Sequence, residues 1–493
     1  MAVAARKRVL VVGAGITGLS AAYHLTKTRP DVEIKLIEVR DRAGGNIETE
    51  RRDGFVLDGG PDCFLRTKPE GQKLCEELGL GSEIMTTLPS AHGVYIAQHG
   101  RLERMPAGMA LAVPTRIGPL VKTPLVSWAG KLRILGDLFV EHRPTSDDET
   151  VASFLMRHFG REVTYQLAGP LLGGIFAGDI EELSIQSTFP QLVELEKKQG
   201  SLIRALFAAE RARVAAAQGR PVPRSDDPFD PAELWSLFTW LRREPKSAPS
   251  PFLSLQSGIG TLVSKLVAQL PEAAILLGRR VEQIARLGDG RWQARLDGDT
   301  LEYFDRILLC TPAHAAARIT APLPLSSLLE AVPYVSTATV FFALGAEPKQ
   351  CPLDSSGFMV PRCEGRMLAS TWVSSKWSDR VPANGKLLRA FLGGAREPEL
   401  VLNTSDEELV DIARSELTRF MGPLDPVLFT RVFRWQRSNP QPVVGHGARL
   451  RKVQRLLAEV PGLHLAGSAY DGVGISDCIR QGRAAADAAS AGL

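Results

Sequence analysis

The stretch Val9-Leu10-Val11-Val12-Gly13-Ala14-Gly15-Ile16-Thr17-Gly18 decides the fold. Four apolar, mostly β-branched residues in a row read as a strand buried on both faces. The glycines follow at once. A helical segment comes next, with Leu19, Ala22 and Leu25 at helix spacing and Ala21 beside them, and Pro30-Asp31 breaks it. Val32-Glu33-Ile34-Lys35-Leu36-Ile37 reads as a second strand that ends at Glu38. This is a whole β-α-β unit. Gly13 permits the tight turn, Gly15 lets the backbone approach a pyrophosphate, and Gly18 lets helix and strand pack closely. The start of the helix offers unpaired N–H groups and a partial positive charge to the phosphates. Glu38 lies about twenty residues beyond Gly18, the distance at which an acid accepts hydrogen bonds from a ribose 2′-OH. The unit therefore predicts a dinucleotide site at Gly13, Ala14, Gly15, Ile16, Thr17, Gly18 and Glu38, and the acid favours FAD or NAD over NADP.

The next segment separates FAD from NAD. Arg40-Asp41-Arg42-Ala43-Gly44-Gly45-Asn46 is a basic, twin-glycine loop, and Phe55-Val56-Leu57-Asp58-Gly59-Gly60-Pro61 follows it. A plain NAD domain would continue with alternating helices and strands. Glycine turns close to the ribose and pyrophosphate point to FAD instead. Far along the chain, Leu463-His464-Leu465-Ala466-Gly467 reads as a strand running into glycines. Gly472-Val473-Gly474-Ile475-Ser476-Asp477 then opens an alanine-rich helix, a second helix start at the cofactor.

Composition narrows the remaining classes. The chain has 493 residues, long enough for two or three domains, with 44% hydrophobic and 23% charged residues, ordinary globular usage. A net charge of +4, from 59 basic and 55 acidic residues, is too balanced to imply nucleic acid. Cys63, Cys75, Cys310, Cys351, Cys363 and Cys478 form no C-x-x-C pair, and the histidines show no ligand spacing, so no metal site is indicated. No apolar run approaches the ~18 residues of a membrane span. The start lacks the apolar stretch of a secretory signal, which reads as a cytoplasmic chain. Residues 101–133 are apolar but studded with prolines and basic residues, Leu202, Ile203, Leu206 and Phe207 fit one face of a helix, and Arg220 to Pro231 reads as a loop. A basic amphipathic surface of this kind could touch anionic lipid.

Four further segments resemble one family in order. They are Asp58-Gly59-Gly60-Pro61-Asp62; Gly173-Gly174-Ile175-Phe176-Ala177-Gly178-Asp179; Pro440-Gln441-Pro442-Val443-Val444-Gly445-His446; and Tyr470-Asp471-Gly472-Val473-Gly474-Ile475-Ser476-Asp477-Cys478-Ile479. With them the chain resembles, over nearly its whole length, the oxygen-dependent, FAD-containing protoporphyrinogen/coproporphyrinogen III oxidases of haem biosynthesis, a branch of the amine-oxidase-like flavoproteins.

The resemblance implies a mixed α/β fold: a Rossmann-like FAD domain assembled from residues 1–100, 252–330 and 424–493, a helical domain over 101–251, and an antiparallel-sheet substrate domain over 331–423 with part of 101–251. It implies noncovalent FAD held by the glycine loop and Glu38, and by Val39, Asn46, Gly59, Gly60, Pro61, Asp62, Val281, Trp435, Val473, Gly474 and Ile475. The implied substrate is a porphyrinogen, oxidised by six electrons with O2 as acceptor and three peroxides released, near Gly174, Phe176, Phe358, Met359 and Trp377. No dyad or triad stands out as a base, and Asp62 is the one pocket acid to nominate. The arginine that eukaryotic members place before the Tyr95 stretch is replaced by His92, Gly93 and Val94. The loop carrying Arg66 and Lys68 looks bacterial, which puts these two at the pocket mouth and favours coproporphyrinogen III over protoporphyrinogen IX. Flavin amine oxidases and carotenoid desaturases are the more distant alternatives. Peripheral membrane contact and a homodimer are both compatible with the family.

Overall fold

The computed structural model describes residues 6–89, 91, 93–110, 113–139, 148–219, 231–242 and 250–493. Most of the loop expected over Arg220 to Pro231, and His92, lie outside them. The strand Arg8–Val12 is the centre of a five-stranded parallel sheet, flanked by Glu33–Ile37 and Arg306–Leu309 and completed by Ile275–Leu276 and Leu463–Leu465. Its side chains divide by parity. Val9 and Val11 pack with the helices Ile16–Thr28 and Ile475–Ser490, whereas Leu10 and Val12 pack with Ile284, Trp292, Leu325 and Val453. That two-sided burial is why the run is continuously apolar.

A second sheet of seven strands runs Val427–Pro440, Tyr334–Leu344, Lys386–Gly393, Ala369–Trp372, Gly357–Met359, Tyr95–Gln98 and Arg101–Arg104. It is antiparallel except where Gly357–Met359 meets Tyr95–Gln98. Alternation along Tyr334–Leu344 again sorts the side chains. Ala338, Val340, Phe342 and Leu344 face the helix Asp406–Met421 through Leu409, Ala413 and Leu417. Phe341 and Ala343 meet Phe55, Leu57, Phe433 and Trp435 on the cofactor side. Two strands of this sheet, Tyr95–Gln98 and Val427–Pro440, fall inside segments that the sequence assigned to the FAD domain. Their hydrogen-bond partners, Phe358 and Thr337 among them, carry them into the other sheet.

The described residues between 117 and 242 are mostly helical, including Val151–Val163, a π-helical turn Thr164–Ala168, Gly169–Phe176, Pro190–Gln199 and Leu202–Ala217. Their core holds Leu155, Phe159, Leu172, Leu192 and Leu202. Among the described residues no helix is long and apolar enough to cross a membrane.

One buried polar cluster ties these helices together. His158, fully buried, has Nδ1 2.5 Å from Asp137 Oδ1 and Nε2 3.2 Å from Glu196 Oε1. Asp137 Oδ2 also accepts from Ser201 Oγ and the Ile203 N–H, and Arg157 joins Glu196 to Glu149. Burial alone would lower the imidazole pKa. The Asp137 and Glu196 hydrogen bonds and charges more than offset it, so the net shift is upward from about 6.5. A histidine with a raised folded-state pKa stabilises fully below its unfolded value, and that contribution is lost as pH rises through the raised value. In a pH series of thermal midpoints, the gap between the native chain and a His158→Gln variant should therefore be largest in mild acid and shrink on the alkaline side. A gap that widens with pH would show that His158 is neutral in the fold.

Candidate active site

The glycine motif and the twin-glycine loop meet in space. The Gly13 N–H donates to Ile37 O at 2.7 Å and the Gly44 N–H to Ala14 O at 2.8 Å, and Gly15 bridges Gly44. Glu38 is buried at their junction. Its Oε2 accepts from the Ala14 N–H at 2.7 Å and its Oε1 from the Arg40 N–H at 2.9 Å. These backbone bonds fix the carboxylate while leaving lone pairs for a ribose. A cavity of about 610 Å³ opens here. Gly13, Gly15, Ile16, Thr17, Glu38, Val39, Asn46, Pro61, Val281, Val473 and Ile475 all line it. The first turns of the helices Ile16–Thr28 and Ile475–Ser490 thus open on one groove, where their N–H groups suit a pyrophosphate. A Cβ at Gly15 would project into this open space, with no atom closer than Gly45 Cα at 4.0 Å, whereas one at Gly18 would overlap the Gly13 carbonyl.

Other expected cofactor contacts sit behind the lining. Ala14 is buried in the loop and Gly18 in the first turn of the helix Ile16–Thr28. The Gly474 N–H caps onto Asp477 at 3.3 Å. Trp435 is buried, stacked on Phe433, and donates its indole N–H to Gly59 O. Gly59 and Gly60 are likewise buried. The sequence reading missed the cationic walls. Arg40, Arg279, Arg280, Arg318 and Arg437 line the groove, as does His314, whose pKa burial and the charges of Arg437 and Arg318 push down to about 4. Arg279-Arg280 beside Val281 was a local signal for part of this. Arg318 and Arg437 are more than a hundred residues apart and only the fold joins them.

Several expected substrate contacts stand elsewhere. Lys68 Nζ is bound to both oxygens of Asp477, at 2.8 and 2.6 Å, so it is a tether between the loop and the second glycine-led helix. Arg66 is exposed and has no side-chain partner among the described residues. Trp377 is 1% exposed, packed near Phe55, Phe341 and Leu387, and its Nε1 donates to Asp62 Oδ2 at 3.0 Å, so it has no bare face for a pyrrole. Phe358 lies on the far side of the sheet against Trp372 and Phe420, while strand alternation turns Met359 the other way. Phe176 is buried edge-on against Phe189, and its neighbours Gly174 and Ile175 are the exposed positions of that helix.

Asp62 does not suit the role of base. Its Oδ2 accepts from Lys376 Nζ at 2.8 Å as well as from Trp377. Burial alone would push the carboxyl up, but the Lys376 and Arg389 charges and these hydrogen bonds hold it well below the usual carboxylate range. An acid so stabilised as its anion is a poor proton acceptor at neutral pH.

Residues 16–490 match a family model for flavin-containing amine oxidoreductases. The chain belongs to that family. It is 32% identical over 486 residues to the coproporphyrinogen III oxidase of Bacillus subtilis, covering 97% of both chains. It is 30% identical over 500 residues to bovine protoporphyrinogen oxidase, covering 97% of this chain and 98% of that one. A crystal structure of a candidate protoporphyrinogen oxidase from Exiguobacterium superposes with a TM-score of 0.81 at 30% identity, covering 98% of each chain. The cofactor of this flavoprotein is FAD, and the groove fits it: a bare glycine cradle, two helix starts and a fixed acid.

Two variants separate cradle from scaffold. Gly15→Val should fold with a near-native thermal midpoint and purify colourless, because its side chain fills cofactor space. Gly18→Ala should lower the midpoint, since overpacking costs about 1–3 kcal/mol. Yellow, FAD-replete Gly15→Val protein would refute this division. Lys68→Ala leaves Asp477 less neutralised at a helix start that faces phosphate. For a partly exposed pair worth about 0.2–1 kcal/mol, the FAD dissociation constant should rise by up to about fivefold. A change in porphyrinogen KM with FAD affinity intact would restore the substrate role.

Proposed function

We propose that the chain oxidises a porphyrinogen to the porphyrin, with O2 as terminal acceptor and three H2O2 per product, in haem biosynthesis. Coproporphyrinogen III is the favoured substrate and protoporphyrinogen IX the alternative. The observation that carries this reading is the end-to-end match to porphyrinogen oxidases on a groove built for FAD. The coproporphyrinogen III oxidases of Bacillus subtilis and Propionibacterium freudenreichii are both 32% identical to this chain, against 30% for the bovine enzyme.

Bound FAD supplies the two-electron acceptor, and each of three rounds removes two electrons from the tetrapyrrole. Glu38 and the glycine loop hold the cofactor's adenosine end. The Gly59-Gly60-Pro61 turn, clamped from the substrate sheet, carries the groove wall opposite. Gly174, Ile175 and Met359 offer the apolar surface that a macrocycle would cover. Two crossings join the Gly169–Phe176 end to that sheet: the Ala395 N–H to Ala177 O at 2.8 Å, and Arg362 to Asp179 at 2.8 Å. The acids of the turn, Asp58 and Asp62, are both ion-paired, and Asp62 is held as its anion by Lys376 and Arg389. The pyrrole proton then leaves to water. Arg66, exposed and without a side-chain partner among the described residues, is free to donate a charge-assisted bond to a propionate. A cytoplasmic location belongs to the same reading. Peripheral membrane contact would suit the exposed Trp128, Leu132 and Phe139 beside Lys131, and a homodimer belongs to the same reading.

Aerobic turnover of each porphyrinogen, followed by porphyrin fluorescence and peroxide, tests the assignment. Coproporphyrinogen III should be the better substrate at equal concentration, with three peroxides per porphyrin. Arg66→Ala should raise its KM about tenfold, near the low end for a charge-assisted hydrogen bond. Turnover of amines without porphyrinogens would overturn the function. A preference for protoporphyrinogen IX would overturn only the substrate.

A further inference from the structure

Three strands of the seven-stranded sheet send a donor to one carbonyl oxygen. Gly59 O accepts from Thr339 Oγ1, from Arg389 Nη2 and from Trp435 Nε1, each at 2.9 Å. Arg389 Nη2 also donates to Gly60 O at 2.6 Å. A carbonyl has two lone pairs, so three donors, one of them charged, saturate it. Arg389 is 4% exposed, lies over the rings of Phe391 and Phe341, and has no partner for Nε among the described residues. The carboxylates that face it, Asp58 and Asp62, are already paired with Arg380 and Lys376. Its charge is therefore not cancelled by a carboxylate of its own.

The other end of the same peptide unit lies between two residues that line the groove. In a trans peptide the N–H points opposite to the C=O. With Gly59 O drawn to the sheet, the Gly60 N–H points away from it. Asn46 and Pro61, which flank Gly60, both line the groove. The Gly60 N–H is buried and has no partner among the described residues, a state that a bound ligand would relieve.

We propose that Arg389 and Thr339 are positioning residues that polarise the Gly59–Gly60 peptide, so that the Gly60 N–H becomes a strengthened donor to the flavin and favours the negative charge it gains on reduction. Donors on a carbonyl strengthen the N–H of the same unit, because chained hydrogen bonds polarise one another. A donor already in place where charge develops needs no reorganisation. The inference rests on FAD occupancy, not on the choice of substrate.

Potentiometric titration of the FAD-loaded enzyme, with no porphyrinogen present, tests it apart from turnover. Arg389→Gln keeps a neutral donor and removes the charge. It should lower the equilibrium constant for two-electron reduction about tenfold, or about 30 mV. Thr339→Val keeps the shape and removes one donor, and should lower the constant about threefold. Thr339→Ser keeps the hydroxyl and should retain the native potential. A purely structural role would lower thermal midpoints and leave potentials in place. If Arg389→Gln does not fold, the Thr339 pair decides alone. Potentials equal to native in Thr339→Val, with FAD bound, would overturn the proposal. Native protein that binds no FAD would instead undo the cofactor assignment.

Discussion

Two bare backbone contacts set the geometry on which the rest depends. A Cβ at Gly18 would overlap the Gly13 carbonyl oxygen, and one at Gly482 would overlap the Thr17 carbonyl oxygen. The first contact seats Ile16–Thr28 on the parallel sheet, and the second lets Ile475–Ser490 cross it at backbone distance. Only then do both helix starts open on one groove, although they are more than four hundred residues apart in the chain. Glu38 and Gly44 are placed relative to the first of these starts by short hydrogen bonds with Ala14.

A row of charges holds the Asp58–Asp62 turn against the second sheet. Asp58 pairs with Arg380, both almost wholly buried, and Arg380 also donates to Ser254 Oγ and Leu255 O. Asp62 pairs with Lys376, and Arg389 grips the two glycine carbonyls between those acids. Breaking one partner of a buried pair costs about 3–5 kcal/mol, since it strands the other charge. Such groups specify a single docking of the two sheets more sharply than apolar contact does. The same need explains why Asp62 and Trp377 are engaged with each other and not with a substrate.

The cofactor half was readable because its signals are local. The strand–glycine–helix unit, the acid after the second strand and the second glycine-led helix each lie within a few dozen residues, where steric rules for glycine and the period of buried strands apply directly. The substrate half was harder. Lys68 read as a free loop cation, yet its partner Asp477 comes from the far end of the chain. Phe358 and Met359 are adjacent, and a two-residue period puts them on opposite faces, but which face meets the cofactor depends on the helix Asp406–Met421 covering the other. In Gly173 to Asp179 the motif drew attention to Gly174 and Phe176, while helix rotation exposes Gly174 with Ile175 and buries Phe176.

The amino-acid sequence by itself determined the dinucleotide-binding unit, its preference for FAD and the family to which the chain belongs, because those follow from short-range sterics and ordered motifs. The tertiary structure alone decided which charged groups are committed to one another. Arg380 with Asp58, Lys376 with Asp62, Lys68 with Asp477 and Arg389 on Gly59 all join residues more than three hundred positions apart. Ion pairing acts over a few ångströms of space and is blind to separation along the chain, so no local pattern announces it.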